Sequence, residues 1–260
     1  MKIKAAFSYQ LKNYFKSFGW VYLWSIAVVV ILPFAISLVL GRINIYDIND
    51  YLPQFLPALI LGFYLFVFGG ISYDGFKLFI QNGLGRKTYF FSKLYALTVI
   101  LVVGEVINLL YGVFYRQFIN TKKNPVMTFS VLYGHYFDSA AANTVSVLII
   151  TMLFIACIMV TGMVIGSCLG LFNRRVQRIS IIGMPVLLFV LLTVLVMLND
   201  QTSLKLTWLG DFLLFIVGMG NQSADTGHFV AFAPMISGAV YIIVMLLISY
   251  RLTLRFRVPR

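Results

Sequence analysis

Val145-Ser-Val-Leu-Ile-Ile-Thr-Met-Leu-Phe-Ile-Ala-Cys-Ile-Met-Val-Thr-Gly-Met-Val-Ile-Gly-Ser-Cys-Leu169 decides what kind of protein this is. The stretch runs 25 residues without a charged side chain, and its polar groups are Ser, Thr and Cys alone. As a helix rising 1.5 Å per residue it would reach about 37 Å, enough for the roughly 30 Å hydrocarbon core of a bilayer. In lipid every backbone N–H and C=O must be paired internally, and a helix achieves this within one segment. Apolar and polar residues do not alternate, which excludes the strand pattern of a membrane β-barrel. Gly162, Gly166 and Gly170 at four-residue spacing make a smooth ridge for close approach of a second helix, although membrane helices are glycine-rich in any case. Which helix packs there is left open.

Five more runs of similar length lie outward from this one. With it, the predicted spans are 19–40, 55–73, 94–115, 145–169, 179–198 and 230–250, and together they hold one ionisable acid or base, Glu105. Pro33, Pro57 and Pro185 fall inside runs, as membrane helices tolerate. The first run is too long for a signal-peptide core and no small-x-small cleavage pattern follows, so it reads as a span. Composition agrees: 61% of residues are apolar, 11% are charged and the mean hydropathy is +0.94. A soluble domain carries about 45–50% and roughly 25%. The fold class is therefore an all-α polytopic membrane protein, a single transmembrane domain over residues 1–260.

Charge supplies the orientation. Twenty Lys and Arg stand against eight Asp and Glu, a net +12. With the N-terminus inside, the inner segments carry Lys2, Lys4, Lys12 and Lys16; Lys77, Arg86, Lys87 and Lys93; Arg174, Arg175 and Arg178; and Arg251, Arg255, Arg257 and Arg260. The outer loops carry Arg42, Arg116, Lys122, Lys123 and Lys205, with every Asp except Asp74. This bias predicts that both termini are cytoplasmic. No aromatic-interleaved basic groove or binding motif accompanies the charge, so a nucleic-acid partner is excluded. Cys157 and Cys168, eleven residues apart on one predicted helix, are too distant to bridge. His135 and His228 stand in separate outer loops, so no metal cluster can be assembled by spacing.

The segments between spans carry the remaining signals. In residues 3–18, Phe7, Leu11, Tyr14, Phe15 and Phe18 recur at helical spacing with Lys12 and Lys16 on another face, the pattern of an interfacial amphipathic helix. In the inner loop 74–93, Phe76, Phe79 and Ile80 share one face of a short helix and Asn82-Gly83 is a stop signal. Gly85-Arg86-Lys87-Thr88 has only a superficial likeness to a phosphate loop, because Arg86 stands where that motif needs glycine and no strand precedes it. No cofactor site is expected in this chain. Within the outer segment 199–229, the run 208–219 is apolar but too short to cross, which predicts a re-entrant or interfacial helix.

The order of these features, with Asn82-Gly83-Leu-Gly-Arg86-Lys87-Thr88 entering the third span and the Arg-rich turn Gly170-Leu-Phe-Asn-Arg174-Arg175-Val-Gln-Arg178, resembles the membrane (permease) subunit of bacterial ABC exporters of the ABC-two type. The resemblance implies a multi-pass protein of the bacterial cytoplasmic membrane. It implies a separate ATPase subunit, two copies per complex, that binds ATP and magnesium, and a second permease half, identical or homologous. It implies that the 74–93 loop is the coupling helix, with Phe76, Lys77, Phe79, Ile80, Gln81 and Asn82 against the ATPase and Gly83, Arg86 and Lys87 at its exit. Residues 3–18 would be the connector helix, and the outer segment would cap an exit path for an amphipathic or antimicrobial peptide, a lipid-like molecule or a drug.

Two rivals stand beside this reading. An ion-coupled secondary transporter needs intramembrane ionisable groups, and Glu105 is a single one; it reads equally as a path-lining acid or a hydrogen-bonded packing residue. A membrane enzyme needs a nucleophile with a base at membrane depth, and no span contains His.

Overall fold

The computed structural model describes residues 2–41, 55–71, 73–115, 129–172, 207–219 and 229–256, with positions 117, 176, 179 and 193. Every regular element among them is helical: α1 (Lys2–Val39), α2 (Leu56–Gly70), α3 (Tyr73–Gln81), α4 (Arg86–Phe114), α5 (Phe129–Tyr133), α6 (Ala140–Leu169), α7 (Thr207–Val217) and α8 (Phe232–Leu254).

Among the described residues, four helices are long and apolar enough to cross a membrane: α1 from Ile3 onward, α4, α6 and α8. Their outward faces are apolar as well, with Trp24, Ile31, Leu110 and Val113 each more than 60% exposed. Apolar surface on this scale is stable only against lipid or another protein, which makes the chain a membrane protein.

Of the six expected spans, the described residues show four as single long helices. The second run forms α2, only 15 residues, followed by α3 after a 45° bend, so the pair can at most be one broken span. Specific contacts flank the bend. Ile71 leaves the helix with an extended backbone, and the buried Lys93 ammonium of α4 donates to the Gly69 carbonyl at 2.6 Å and the Ile71 carbonyl at 3.1 Å. A cation placed at the carbonyl end of a helix also complements the helix dipole. Apart from positions 179 and 193, the expected span 179–198 lies outside the described residues, as do residues 199–206 and 220–228 of the outer segment. Its described part contains α7, 11 residues long, which packs on α8. Residues 3–18 and the first span form one helix, α1, with no turn between them.

Packing centres on α6, which lies against α2 on one side and α8 on another, while α4 joins α1 to α2. Gly162 and Gly166 face the backbone of α2. A Cβ on Gly162 would overlap Phe66, and one on Gly166 would overlap Gly70. The two helices therefore touch backbone to backbone, which only residues without a side chain permit. Gly170, one turn on, faces the ring of Phe256 instead. Between α1, α2 and α4 the contact is aromatic: the Tyr64 hydroxyl donates to the Tyr14 carbonyl at 2.7 Å, and Phe18 meets the Tyr64 ring edge-on at 5.2 Å. Ser167 and Ser249 join α6 to α8 through a buried hydroxyl pair at 3.1 Å.

Candidate functional site

Two places bring sequence-predicted residues together, one at the α3 end of the helices and one at the far end of α4.

The first is built on α3. Its nine residues carry a strong apolar stripe at three-residue spacing, and Gly83 ends it with φ +72. There the Leu84 N–H returns to the Phe79 carbonyl and the Gly83 N–H to Ile80, a Schellman closure that needs a left-handed residue. The stripe faces inward. Phe76 is fully buried and Phe79 nearly so, in a cluster with Ala6 of α1, Tyr89 of α4 and Phe256 beyond α8. Phe76 meets Tyr89 at 5.4 Å and Phe256 at 5.0 Å, both edge-to-face. Tyr9 of α1 closes the side of Phe79 at 5.9 Å. Ile80 is half-buried, whereas Lys77, Leu78, Gln81, Asn82 and Gly83 are exposed.

Arg86 and Lys87 open α4 and are exposed. The Arg86 guanidinium donates to the Leu254 carbonyl at 2.7 Å, capping the C-terminal end of α8. Aromatic packing and this cap thus bind α3 and the start of α4 to both the first and last helices. Tyr89, Lys93 and Phe256 are part of this assembly, although the sequence marks Lys93 only as part of the charge bias and singles out neither aromatic. Their only signal is weak: a lysine directly before a span, and an aromatic between Arg255 and Arg257 in an otherwise basic tail.

The second place is a cleft of about 770 Å³ between the ends of α4 and α6. Glu105, Asn108, Leu109 and Gly112 line it from α4, at the spacing of one helix face. Ala140, Asn143, Thr144, Val147, Leu148 and Thr151 line it from α6, again one face. The connecting turn adds His135, Phe137 and Asp138. Asn143 shapes that turn: its amide nitrogen donates to the Phe137 carbonyl at 2.7 Å and its amide oxygen accepts the Phe137 N–H at 2.8 Å.

Glu105 is 5% exposed, and its Oε1 has no hydrogen-bond partner among the described residues; both side-chain amide atoms of Asn108 share that condition. His135 and Asp138, which the sequence places in an outer loop, stand in the same cleft as Glu105. Asn108 could have been found, because it lies three residues from Glu105 on the same face of a span.

Gly162 and Gly166 face α2 and touch neither place, whereas Gly170 backs Phe256 of the α3 cluster. Among the described residues no group of three or more His, Cys, Asp and Glu is arranged to hold a metal ion. No protein-family model matches this chain, and comparison with curated proteins and with solved structures gives no match either.

Proposed function

We propose that this chain is the permease half of an ATP-driven exporter of the ABC-two type, set in a bacterial cytoplasmic membrane. The observation that carries the reading is α3: a short amphipathic helix whose apolar face is spent on its own chain and whose polar face, Lys77, Gln81 and Asn82 with Leu78, is turned outward. The basic residues around it argue for the cytoplasmic side. An element anchored in this way suits transmission of force. ATP hydrolysis, with its magnesium, belongs to a separate ATPase, two copies per complex, and the path is completed by a second permease half, identical or homologous.

Two ATPases that close on ATP would push on the outer face of α3. Phe76 and Phe79 carry that displacement to Tyr89 of α4, Ala6 of α1 and Phe256 after α8, while Lys93 carries it to the end of α2. Helices linked in this way move as rigid bodies, the requirement for switching between two openings. The ligand must bind the two states differently for transport to follow. Glu105 then stands as a candidate path residue, with an amphipathic or antimicrobial peptide, a lipid-like molecule or a drug as cargo. An ion-coupled transporter is the second reading, favoured by the buried Glu105 carboxylate alone.

The test is co-purification of the tagged full chain with an ATPase from its native membrane. Lys77→Glu with Gln81→Glu should abolish capture and leave the purified chain's unfolding curve unchanged, since both residues are exposed. Transport by the chain alone, with no ATPase in its complex, would refute the exporter reading.

A further inference from the structure

Burying a charged carboxylate is costly, so a buried acid that faces an open cleft either holds a proton or is stabilised by a positive partner. Glu105 is in that position: it is 5% exposed, Oε1 is unpartnered, and it lines the 770 Å³ cleft. Apart from the Asn108 amide, one turn along α4, these nearby donors are committed elsewhere. The Thr144 and Thr151 hydroxyls donate to the Ala140 and Val147 carbonyls at 2.9 and 2.8 Å, the Asn143 amide holds Phe137, and the Tyr22 hydroxyl of α1 donates to Pro57. None of the described residues lining the cleft is Lys or Arg. Asp138 adds a second negative charge at the exposed rim, and Leu109, Val113, Val147 and Leu148 supply apolar wall.

We infer that this cleft binds an organic cation, a primary ammonium or guanidinium group carried on an apolar body, with Glu105 as its counter-charge and Asn108 as the adjoining hydrogen-bond partner. The volume lies within the roughly 300–1,000 Å³ range of small-ligand sites. A calcium ion is a poor fit, since it takes about 6–8 oxygen ligands and the cleft offers one buried carboxylate and one buried amide oxygen. The N–H donors of an ammonium or guanidinium match those acceptors, which a quaternary ammonium cannot do. The inference deepens the exporter reading by naming the chemistry of its cargo at this site, and it rests on that reading for its biological use; binding itself needs no ATPase.

The experiment uses the purified full chain in nanodiscs of zwitterionic lipid, with dansylcadaverine, a primary amine on an apolar fluorophore, as the probe. Saturable fluorescence above that of empty nanodiscs is expected. Glu105→Gln should weaken it at least about tenfold, in line with loss of a charge-assisted hydrogen bond. The trimethylammonium analogue of the probe should bind more weakly than the amine. Thr144→Trp, an exposed change that fills the cleft mouth and leaves Glu105 in place, should abolish the saturable component, and it decides the matter should Glu105→Gln not fold. Absence of a saturable component overturns the inference, as does unchanged affinity in the folded variants or equal binding of the quaternary analogue. Capture of the ATPase by Glu105→Gln, expected to be unaffected, separates failure of this inference from failure of the exporter reading.

Discussion

Gly166→Ala adds one methyl group at the point where α6 and α2 touch. A Cβ there would stand 2.5 Å from both the carbonyl carbon and the Cα of Gly70, with the carbonyl oxygen closer still. Ordinary contact begins near 3.4 Å, so α2 must retreat by roughly 1 Å, because backbone cannot rotate aside as a side chain does. A gap of that size forfeits about a quarter to a half of each dispersion contact along the seam. Overpacking costs typically about 1–3 kcal/mol, and a backbone obstacle puts this site near the top of that range. Alanine returns about 1 kcal/mol of helix propensity, which leaves a net loss of about 2 kcal/mol. Gly19→Ala is the matched control: nothing lies within 4 Å of its would-be Cβ, so the propensity gain stands alone. The measurement is equilibrium unfolding in mixed micelles on titration with SDS. A Gly166→Ala protein as stable as wild type, or shifted in the same direction as Gly19→Ala, would refute the backbone-contact argument.

Other consequences follow from single contacts. Phe256→Ala removes a fully buried ring from the α3 cluster and should cost about 3–5 kcal/mol, read as faster hydrogen exchange at residues 76–81. Lys93→Met strips two carbonyls at the end of α2 of their donor; a loss of about 1–3 kcal/mol is expected, with easier proteolysis around residue 71. Tyr64→Phe keeps the ring packing and deletes the hydrogen bond to Tyr14, so thermal unfolding should report a loss of about 1 kcal/mol. Phe79→Asp buries a charge within the protein's own core and should destabilise α3 whether or not an ATPase is present, unlike Lys77→Glu on the exposed face.

Residues 145–169 announce a membrane helix because an unbroken apolar run is a one-dimensional signal, set by backbone hydrogen bonding in lipid and independent of any neighbour. The stripe of α3 and its glycine stop are legible for the same reason, since helical periodicity and a left-handed cap are local. What faces that stripe is not local. Phe76 finds Phe256, 180 residues further along the chain, and the Arg86 guanidinium finds the Leu254 carbonyl, so the sequence could offer an apolar face but not say that the chain itself covers it. The break after Gly70 has a tertiary side as well: where the apolar run bends, Lys93 from another helix donates to the Gly69 and Ile71 carbonyls. Glu105 stands out in the sequence as the one acid within a span, yet its cleft exists only because α4 and α6 place two separate polar faces opposite each other. Sequence by itself determined the membrane character, the helices and the charge asymmetry, all of which depend on residues near one another in the chain. The partner of the glycine ridge, the inward turn of Phe76 and Phe79, and the convergence of Glu105, Asn108, His135 and Asp138 were decided by the tertiary structure, because packing between distant segments depends on shape that no local pattern encodes.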